Sequence, residues 1–437
     1  MVQATEVRRI LARHMLTDGF ELVADFQKSK GSYLVDKISG DSYLDFFAMF
    51  ASMAIGYNHP KLVAVKNILA ENAIHKPANS DVYTEAMAEF VDTFSEIGIP
   101  RYLNHAFFIE GGALAVENTL KAAFDWKIRK NFAKGETEEK GSKIIHFRQA
   151  FHGRSGYTLS LTNTHDTRKI QYYPVFDWPR MDNPKITFPL SEKNLRTVSA
   201  LEKKVIKQIK KVISEEEKEI AGIIIEPIQS EGGDNHFRAE FFKVLRDICD
   251  ENDILLIFDE VQTGIGMTGK FWAYEHFGIQ PDLLAFGKKM QVCGVLAGDR
   301  MDEVEHNVFH HGRRINSTFG GNLVDMVRAT YLLKIIDEED LVKNAEKQGR
   351  HLLKKIVQLA DEFPKIISNP RGCGLMCAFD LPDEERRDRL RNELFKEKVL
   401  ILGCADRSIR FRPHLTVTAR EINQGIAAIK KIVENKL

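Results

Sequence analysis

Residues 254–288 read ILLIFDEVQTGIGMTGKFWAYEHFGIQPDLLAFGK, and this stretch decides how the chain folds. Leu255-Leu256-Ile257-Phe258 is apolar without alternation, as a strand buried on both faces requires. It delivers Asp259 and Glu260 to its C-terminal end. A Gly/Thr-rich loop from Thr263 to Gly269 follows, and a second apolar run, Leu283 to Phe286, ends on Gly287-Lys288. Open α/β sheets bind ligands beyond the carboxyl ends of their strands. The two strands therefore set Asp259 and Lys288 on one rim, and their separation, 288 − 259 = 29 residues, suits neighbouring strands joined by a connection.

Outward from this pair the same grammar repeats. KIIHF (143–147) and IAGIIIEP (220–227) are further apolar runs without alternation, separated by helical patterns such as 201–217 and 241–252. This succession predicts an α/β fold with a mostly parallel sheet covered on both faces. Residues 19–50 read instead as short strands, two of them joined by a Ser39-Gly40-Asp41 turn, and Pro60 opens a helix. Beyond Gly320-Gly321-Asn322 lies a helical region (323–363) interrupted by an acidic cluster at 337–340. Strand patterns at 374–380, 399–403 and 408–413 follow, with helices at 385–398 and 419–436. The expected division is an N-terminal segment (1–57), a large domain (58–325) and a C-terminal α+β domain (326–437).

Composition narrows the function classes. The 437 residues are 43% hydrophobic and 28% charged, which is ordinary for a globular protein. Lys+Arg and Asp+Glu are both 62, so the basic excess of a nucleic-acid or anionic-membrane binder is missing. No stretch approaches the roughly 18 apolar residues of a membrane span. The opening MVQATEVRRILARHML carries three arginines on a helical pattern, a transit-peptide feature. Glu6 interrupts it and Asp18, Glu21 and Asp25 follow, which favours a solvated amphipathic helix. Five scattered cysteines without metal-ligand companions fit a reducing cytoplasm.

An acid and a lysine on one rim suit pyridoxal phosphate, whose aldehyde a lysine holds and whose pyridinium nitrogen an acid partners. On spacing alone, both read more simply as surface charges at strand ends. Other segments add pieces of a site. After Phe107-Phe108-Ile109-Glu110-Gly111-Gly112-Ala113, the apolar positions Val116, Leu120, Ala123 and Phe124 mark a helix whose free N–H groups make an anion site. Phe151 in AFHGR offers a face for a planar ring and Arg154 a carboxylate clamp, although core and surface roles stand beside these. Glu226 and Glu231 lie at or past a strand end, and Asn316-Ser317-Thr318 offers phosphate-like loop contacts. Of Arg410 and Arg412, at most one is expected to face a given site. His310-His311 beside Arg313-Arg314 have no acid or thiol at ligand spacing, so no metal is expected.

Together IFDEVQTGIGMTG, FGK, EPIQSEGG, FHGR and STFGGN resemble the class III pyridoxal-phosphate-dependent aminotransferases, the family of ornithine, 4-aminobutyrate and lysine ω-transaminases. The resemblance spans about residues 20–430. It implies fold type I, with a large mostly parallel sheet domain and a smaller α+β domain built from both chain ends. It also implies a homodimer with active sites at the subunit interface. Lys288 would be the Schiff-base lysine and Asp259 the pyridinium partner. Gln262 would approach the ring hydroxyl and Phe151 stack on the ring. Gly112 and Ala113 would bind the phosphate, with Thr318 reaching it from the other subunit. Lys289 is a rival for Lys288, and the FGK match favours Lys288. The expected reaction moves the ε-amino group of L-lysine to 2-oxoglutarate, with 4-aminobutyrate or ornithine as the alternative donor. Arg154 would hold the distal carboxylate and Arg410 the α-carboxylate, with Glu231 neutralising Arg410 when the amine is bound; Glu226 joins this substrate set. Two departures stand out: Lys289-Met290-Gln291-Val292-Cys293 replaces a Gly-rich run, and Met267-Thr268-Gly269 replaces Arg-Thr-Gly.

Overall fold

The computed structural model describes residues 2–437. Its centre is a seven-stranded sheet in the order His105–Ile109, Cys293–Ala297, Leu283–Phe286, Leu255–Asp259, Ile220–Ile225, Lys143–Phe147, Arg180–Met181. From Leu283–Phe286 onward all pairings are parallel, whereas Cys293–Ala297 runs against both its neighbours. Asp259 pairs with Ala285 in register, so both central strands leave the sheet on the same rim.

Leu256 and Phe258 enter one hydrophobic cluster and Leu255 and Ile257 the other, each side chain fully buried. This two-sided burial is why the run does not alternate, and each side chain contributes roughly 1.5–3 kcal/mol relative to exposure. The helix Gly112–Ala133 covers one face through Val116, Leu120, Ala123 and Trp126. Helices Glu192–Glu216 and Ala239–Glu251 cover the other, through Val205, Ile209, Phe242 and Leu245 among others.

Two strands of this central sheet have no counterpart in the sequence reading. Arg180–Met181 is a two-residue edge, too short for any periodicity. Cys293–Ala297 follows directly on the lysine turn, and pairing to strands on both sides makes it extended. The helical region after Asn322 is two helices, Leu323–Glu338 and Leu341–Glu362, broken where Asp340 takes a φ of 51°. Pro60 opens the helix Pro60–Ala64, and the N-terminal helix Val7–Leu11 has no buried residue. Among the described residues, no helix is long and apolar enough to cross a membrane.

The C-terminal part forms a four-stranded sheet ordered Ser368–Cys373, Met376–Asp380, Ser408–Phe411, Leu402–Cys404. The N-terminal strands join it from the far end of the chain. Tyr33–Val35 pairs with Ser42–Asp45, which pairs in parallel with Val399–Leu400. Lys398 Nζ donates to Asp41 at 2.6 Å across 357 residues of sequence.

This C-terminal part also grips the loop after Ile228–Gln229. Arg412 forms a fully buried ion pair with Asp234, and Arg371 donates to the Gly233 and Asp234 carbonyls. Ala405 N–H donates to the Glu231 carbonyl at 3.0 Å. A Cβ at Gly232 would stand 2.0 Å from the Gln149 carbonyl oxygen, so only glycine lets the loop pass.

Asp259 and Glu260 point apart, as strand geometry demands. Glu260 is buried, accepts from Tyr274 N–H at 2.8 Å and from the Thr263 hydroxyl, and burial pushes its carboxyl up to about 7. A carboxyl raised from 4.5 stabilises the fold at low pH and loses that contribution as pH rises from 4.5 toward about 7. Glu260→Gln keeps the shape, and the Thr263 hydroxyl can turn to accept. The variant is expected to lose this pH slope, gaining at most about 3 kcal/mol relative to wild type across the window. Thermal melts from pH 4.5 to 8 check it: parallel curves for both proteins would remove Glu260 as the cause.

Candidate active site

Beyond the strand rim lies a cavity of about 1230 Å³. Its walls include Gly112, Ala113, Phe151, Arg154, Glu226, Glu231, Asp259, Gln262, Lys288 and Arg410, residues contributed by nearly every segment named from the sequence. Thr318 stands apart: it is exposed, outside the cavity wall, and its carbonyl accepts from the Ser80 hydroxyl at 3.5 Å.

Lys288 begins the turn that ends its strand and takes a φ of 46°, in the left-handed region that costs a non-glycine residue energy. Burial, reinforced by the positive charge of Arg410, holds its ammonium below the ordinary lysine range, against the pull of Asp259. That favours the neutral amine. Lys289 is more deeply buried, donates to the Gln262 carbonyl at 3.1 Å and does not line the cavity. Geometry thus separates two lysines that sequence sets side by side.

The carboxylate of Asp259 is fixed from two directions. Val261 N–H donates to Oδ1 at 3.0 Å, and His152 Nδ1–H donates to Oδ2 at 2.8 Å with its ring fully buried. His152 had no role in the sequence reading. The only trace of it there is its place in FHGR beside Phe151, and nothing local connects it to an acid 107 residues away.

Glu226 departs from the substrate contact expected of it. Its Oε1 accepts from Phe151 N–H at 2.9 Å and its Oε2 from Ser230 N–H at 3.0 Å, so both oxygens hold backbone on the cavity wall. Burial, with Asp259 adding repulsion and His152 opposing it, pushes its carboxyl up to about 7.

Glu231 has partners that the sequence reading did not name. It does not pair with Arg410: its Oε1 accepts from Lys169 Nζ at 2.5 Å and from the Thr164 hydroxyl at 2.8 Å, while its Oε2 is buried without a partner. The sequence gives no register between residues 164–169 and 231, so these partners are visible only in the fold. Arg410 is 5% exposed, and its Nε and Nη1 have no hydrogen-bond partner. Arg412, two residues on and just past the end of the strand Ser408–Phe411, is committed to its ion pair with Asp234; period-two alternation would have set both arginines on one face, and the strand's end frees Arg412 from it. Arg154 is exposed at the cavity wall, with its guanidinium 6.0 Å from the Phe151 ring centroid.

These residues fit pyridoxal phosphate. Gln262 Oε1 and His152 Nε2 are buried polar atoms without partners on this side of the sheet. Gly111, at a φ of 97°, turns the chain into the N-terminus of the helix Gly112–Ala133, where free amides suit a phosphate. A Cβ at Gly112 would crowd Val261 at 2.9 Å. Asp259 supplies the anion for a ring N–H. The His310 expected to bind nothing lies beside Asp302 and His105, with ligand atoms within 4.8 Å. That trio sits at the opposite end of the His105–Ile109 strand from the cavity.

Comparison with known proteins gives a consistent picture. The family pattern aminotransferase class-III matches residues 17–433. The chain is 51% identical over 427 residues to L-lysine-epsilon aminotransferase of Mycobacterium tuberculosis, covering 97% of this chain and 94% of that one. It is 47% identical over 430 residues to L-lysine-epsilon aminotransferase of Amycolatopsis lactamdurans, covering 98% and 95%. The solved lysine aminotransferase from M. tuberculosis superposes with a TM-score of 0.97 at 49% identity, covering 99% of both chains.

Proposed function

The chain belongs to the class-III aminotransferases, pyridoxal-phosphate enzymes, and from that premise we propose that it moves the ε-amino group of L-lysine to 2-oxoglutarate. The products would be 2-aminoadipate 6-semialdehyde and L-glutamate, formed in two half-reactions through one cavity. The donor assignment rests on the two lysine-aminotransferase relatives, and the two-substrate reading on one observation. Arg410 is buried and unpaired in the same cavity as Glu231, whose Oε2 is also free. A site that must take first a bare ammonium end and then a carboxylate needs a cation that can be exposed or neutralised.

When bound, the cofactor supplies an aldehyde for the amine and a protonated ring that draws electrons from the carbon losing its proton. Lys288 Nζ, whose ammonium form burial disfavours, would take that proton and pass it on. The Asp259 carboxylate would hold the ring N–H, with the His152 hydrogen bond keeping it aimed. Gln262 Oε1 would accept from the ring hydroxyl, and the amides of Gly112 and Ala113 would hold the phosphate. Arg154 takes the distal carboxylate and Arg410 the α-carboxylate of the keto acid. Thr318 reaches the phosphate of a second subunit in a homodimer. We also propose the division into 1–57, 58–325 and 326–437, and, from the five free cysteines, a cytoplasmic location.

The test is a single half-reaction. The loaded protein is mixed with L-lysine, L-ornithine or 4-aminobutyrate without keto acid, and cofactor absorbance is followed. Rapid conversion with lysine, yielding a six-carbon semialdehyde that cyclises, is the expected result. Conversion with only ornithine or 4-aminobutyrate would move the donor assignment to that amine.

A further inference from the structure

Three charges on the cavity wall, Lys169, Glu231 and Arg410, leave one pairing open. Glu231 spends one oxygen on Lys169 and Thr164, and keeps the other free. Arg410 keeps two of its donors free. Lys169 and Arg410 both line this cavity, and one carboxylate lies between their claims.

The two cations are not equivalent. The Lys169 side chain is 24% exposed, so water can solvate its ammonium if the pair opens. Such half-exposed pairs stabilise weakly, and losing one costs little. Arg410 has no such recourse, because a buried guanidinium without an anion is costly. It is satisfied by an incoming carboxylate or by Glu231.

We infer that Lys169 is the resting partner of Glu231, holding that carboxylate off Arg410 so that Arg410 stays open for the carboxylate of the keto acid. When a bare ammonium end fills the cavity, Glu231 crosses to Arg410 and Lys169 is left to water. Lys169 thus acts through Glu231 as a positioning residue that sets the balance between the two substrates. This rests on the reading of Arg410 as the carboxylate site.

The segment carrying Lys169 suits such a role. Thr164 donates to the same oxygen, so Glu231 is held by two groups from one turn. Asp166 is engaged by Arg168 at 2.7 Å and does not compete for Lys169. His165 reaches Glu384 of the helix Glu384–Lys396 at 3.9 Å, tying this turn to the C-terminal wall of the cavity.

Lys169→Met is the test, with Lys169→Arg and the pair Lys169→Met/Glu231→Gln as companions. Glutarate, a five-carbon dicarboxylate without the keto group, serves as a probe of the loaded enzyme by calorimetry, beside KM for 2-oxoglutarate and the rate of the amine half-reaction. In Lys169→Met, Glu231 keeps the Thr164 hydroxyl, and Arg410 is the cation left for it to turn to. The glutarate Kd and the 2-oxoglutarate KM are expected to rise on the order of tenfold, the scale of a typical coupling between two equilibria. The amine half-reaction should stay within about threefold. Lys169→Arg should behave as wild type, and the double variant should recover glutarate affinity, because Gln cannot neutralise Arg410. An unchanged glutarate Kd in Lys169→Met, or a loss that persists in the double variant, would overturn the assignment. Glutarate affinity that survives Arg410→Met would instead remove Arg410 as the carboxylate site and leave the Lys169 measurements to be read on their own.

Discussion

Replacing Lys288 by Ala is expected to lower turnover by about 10⁴-fold or more, the upper range for removing a positioned proton-transfer group. The neighbouring Lys289 cannot take over, because it is committed to the Gln262 carbonyl and does not line the cavity, and Lys169 is held by Glu231. Folding should survive, because the half-buried Lys288 side chain in a left-handed turn contributes little to the core, and Ala leaves the turn's other bonds in place. The variant should retain cofactor through the helix amides while losing the absorbance of the lysine-linked form. Single-turnover kinetics with the amine, run beside Lys289→Ala, decide the matter. Wild-type rates in Lys288→Ala together with collapse in Lys289→Ala would transfer the role to Lys289.

Asp259→Asn should cost on the order of 10²–10³-fold in turnover, the range for removing one preorganised electrostatic contact. The substitution is nearly isosteric, so the Val261 and His152 bonds constrain its outcome. Asn can still accept from Val261 N–H or from His152 Nδ1–H through its carbonyl oxygen. Its amide nitrogen then takes the place of the other accepting oxygen, and the side chain no longer carries the negative charge that holds a protonated ring N–H. Cofactor content should remain near wild type, separating lost chemistry from lost binding. Turnover within about tenfold of wild type would remove Asp259 from the electrostatic role.

How far the sequence carries depends on how local each relationship is. The 254–288 stretch contains both strands, both their burial and their shared rim, so Asp259, Gln262 and Lys288 are placed on the cavity by residues within 30 positions of one another. Arg410 and Arg412 part company because the strand ends at Phe411 and Arg412 is taken by Asp234, which a period-two pattern does not show. What could not be read are contacts set by sheet order. His152 meets Asp259 only because the Ile220–Ile225 strand alone lies between their two strands. Lys169 meets Glu231 across a loop and a turn with no periodicity to align them. Glu226 looked like a substrate group because it ends a strand facing the cavity, yet two backbone amides nearby capture both its oxygens. The strand Cys293–Ala297 was hidden for a related reason: its extension is imposed by the neighbours it joins.

The pairing of Ser42–Asp45 with Val399–Leu400 sets a timetable for the chain as it leaves the ribosome. Lys398 follows its ion-pair partner Asp41 by 357 residues, which at 5–20 residues per second is a delay of roughly 20–70 s. Throughout that interval the early strand carries a bare edge, the kind that recruits other chains. The central sheet, whose strands lie between residues 105 and 297, can assemble meanwhile from contiguous sequence. The loop bearing Glu231 waits for its clamps until Arg371 and Arg412 have followed it, 412 − 231 = 181 residues later for the second. Nascent chains stalled before residue 399 should therefore be the aggregation-prone species of this protein, and their cavity still lacks Arg410.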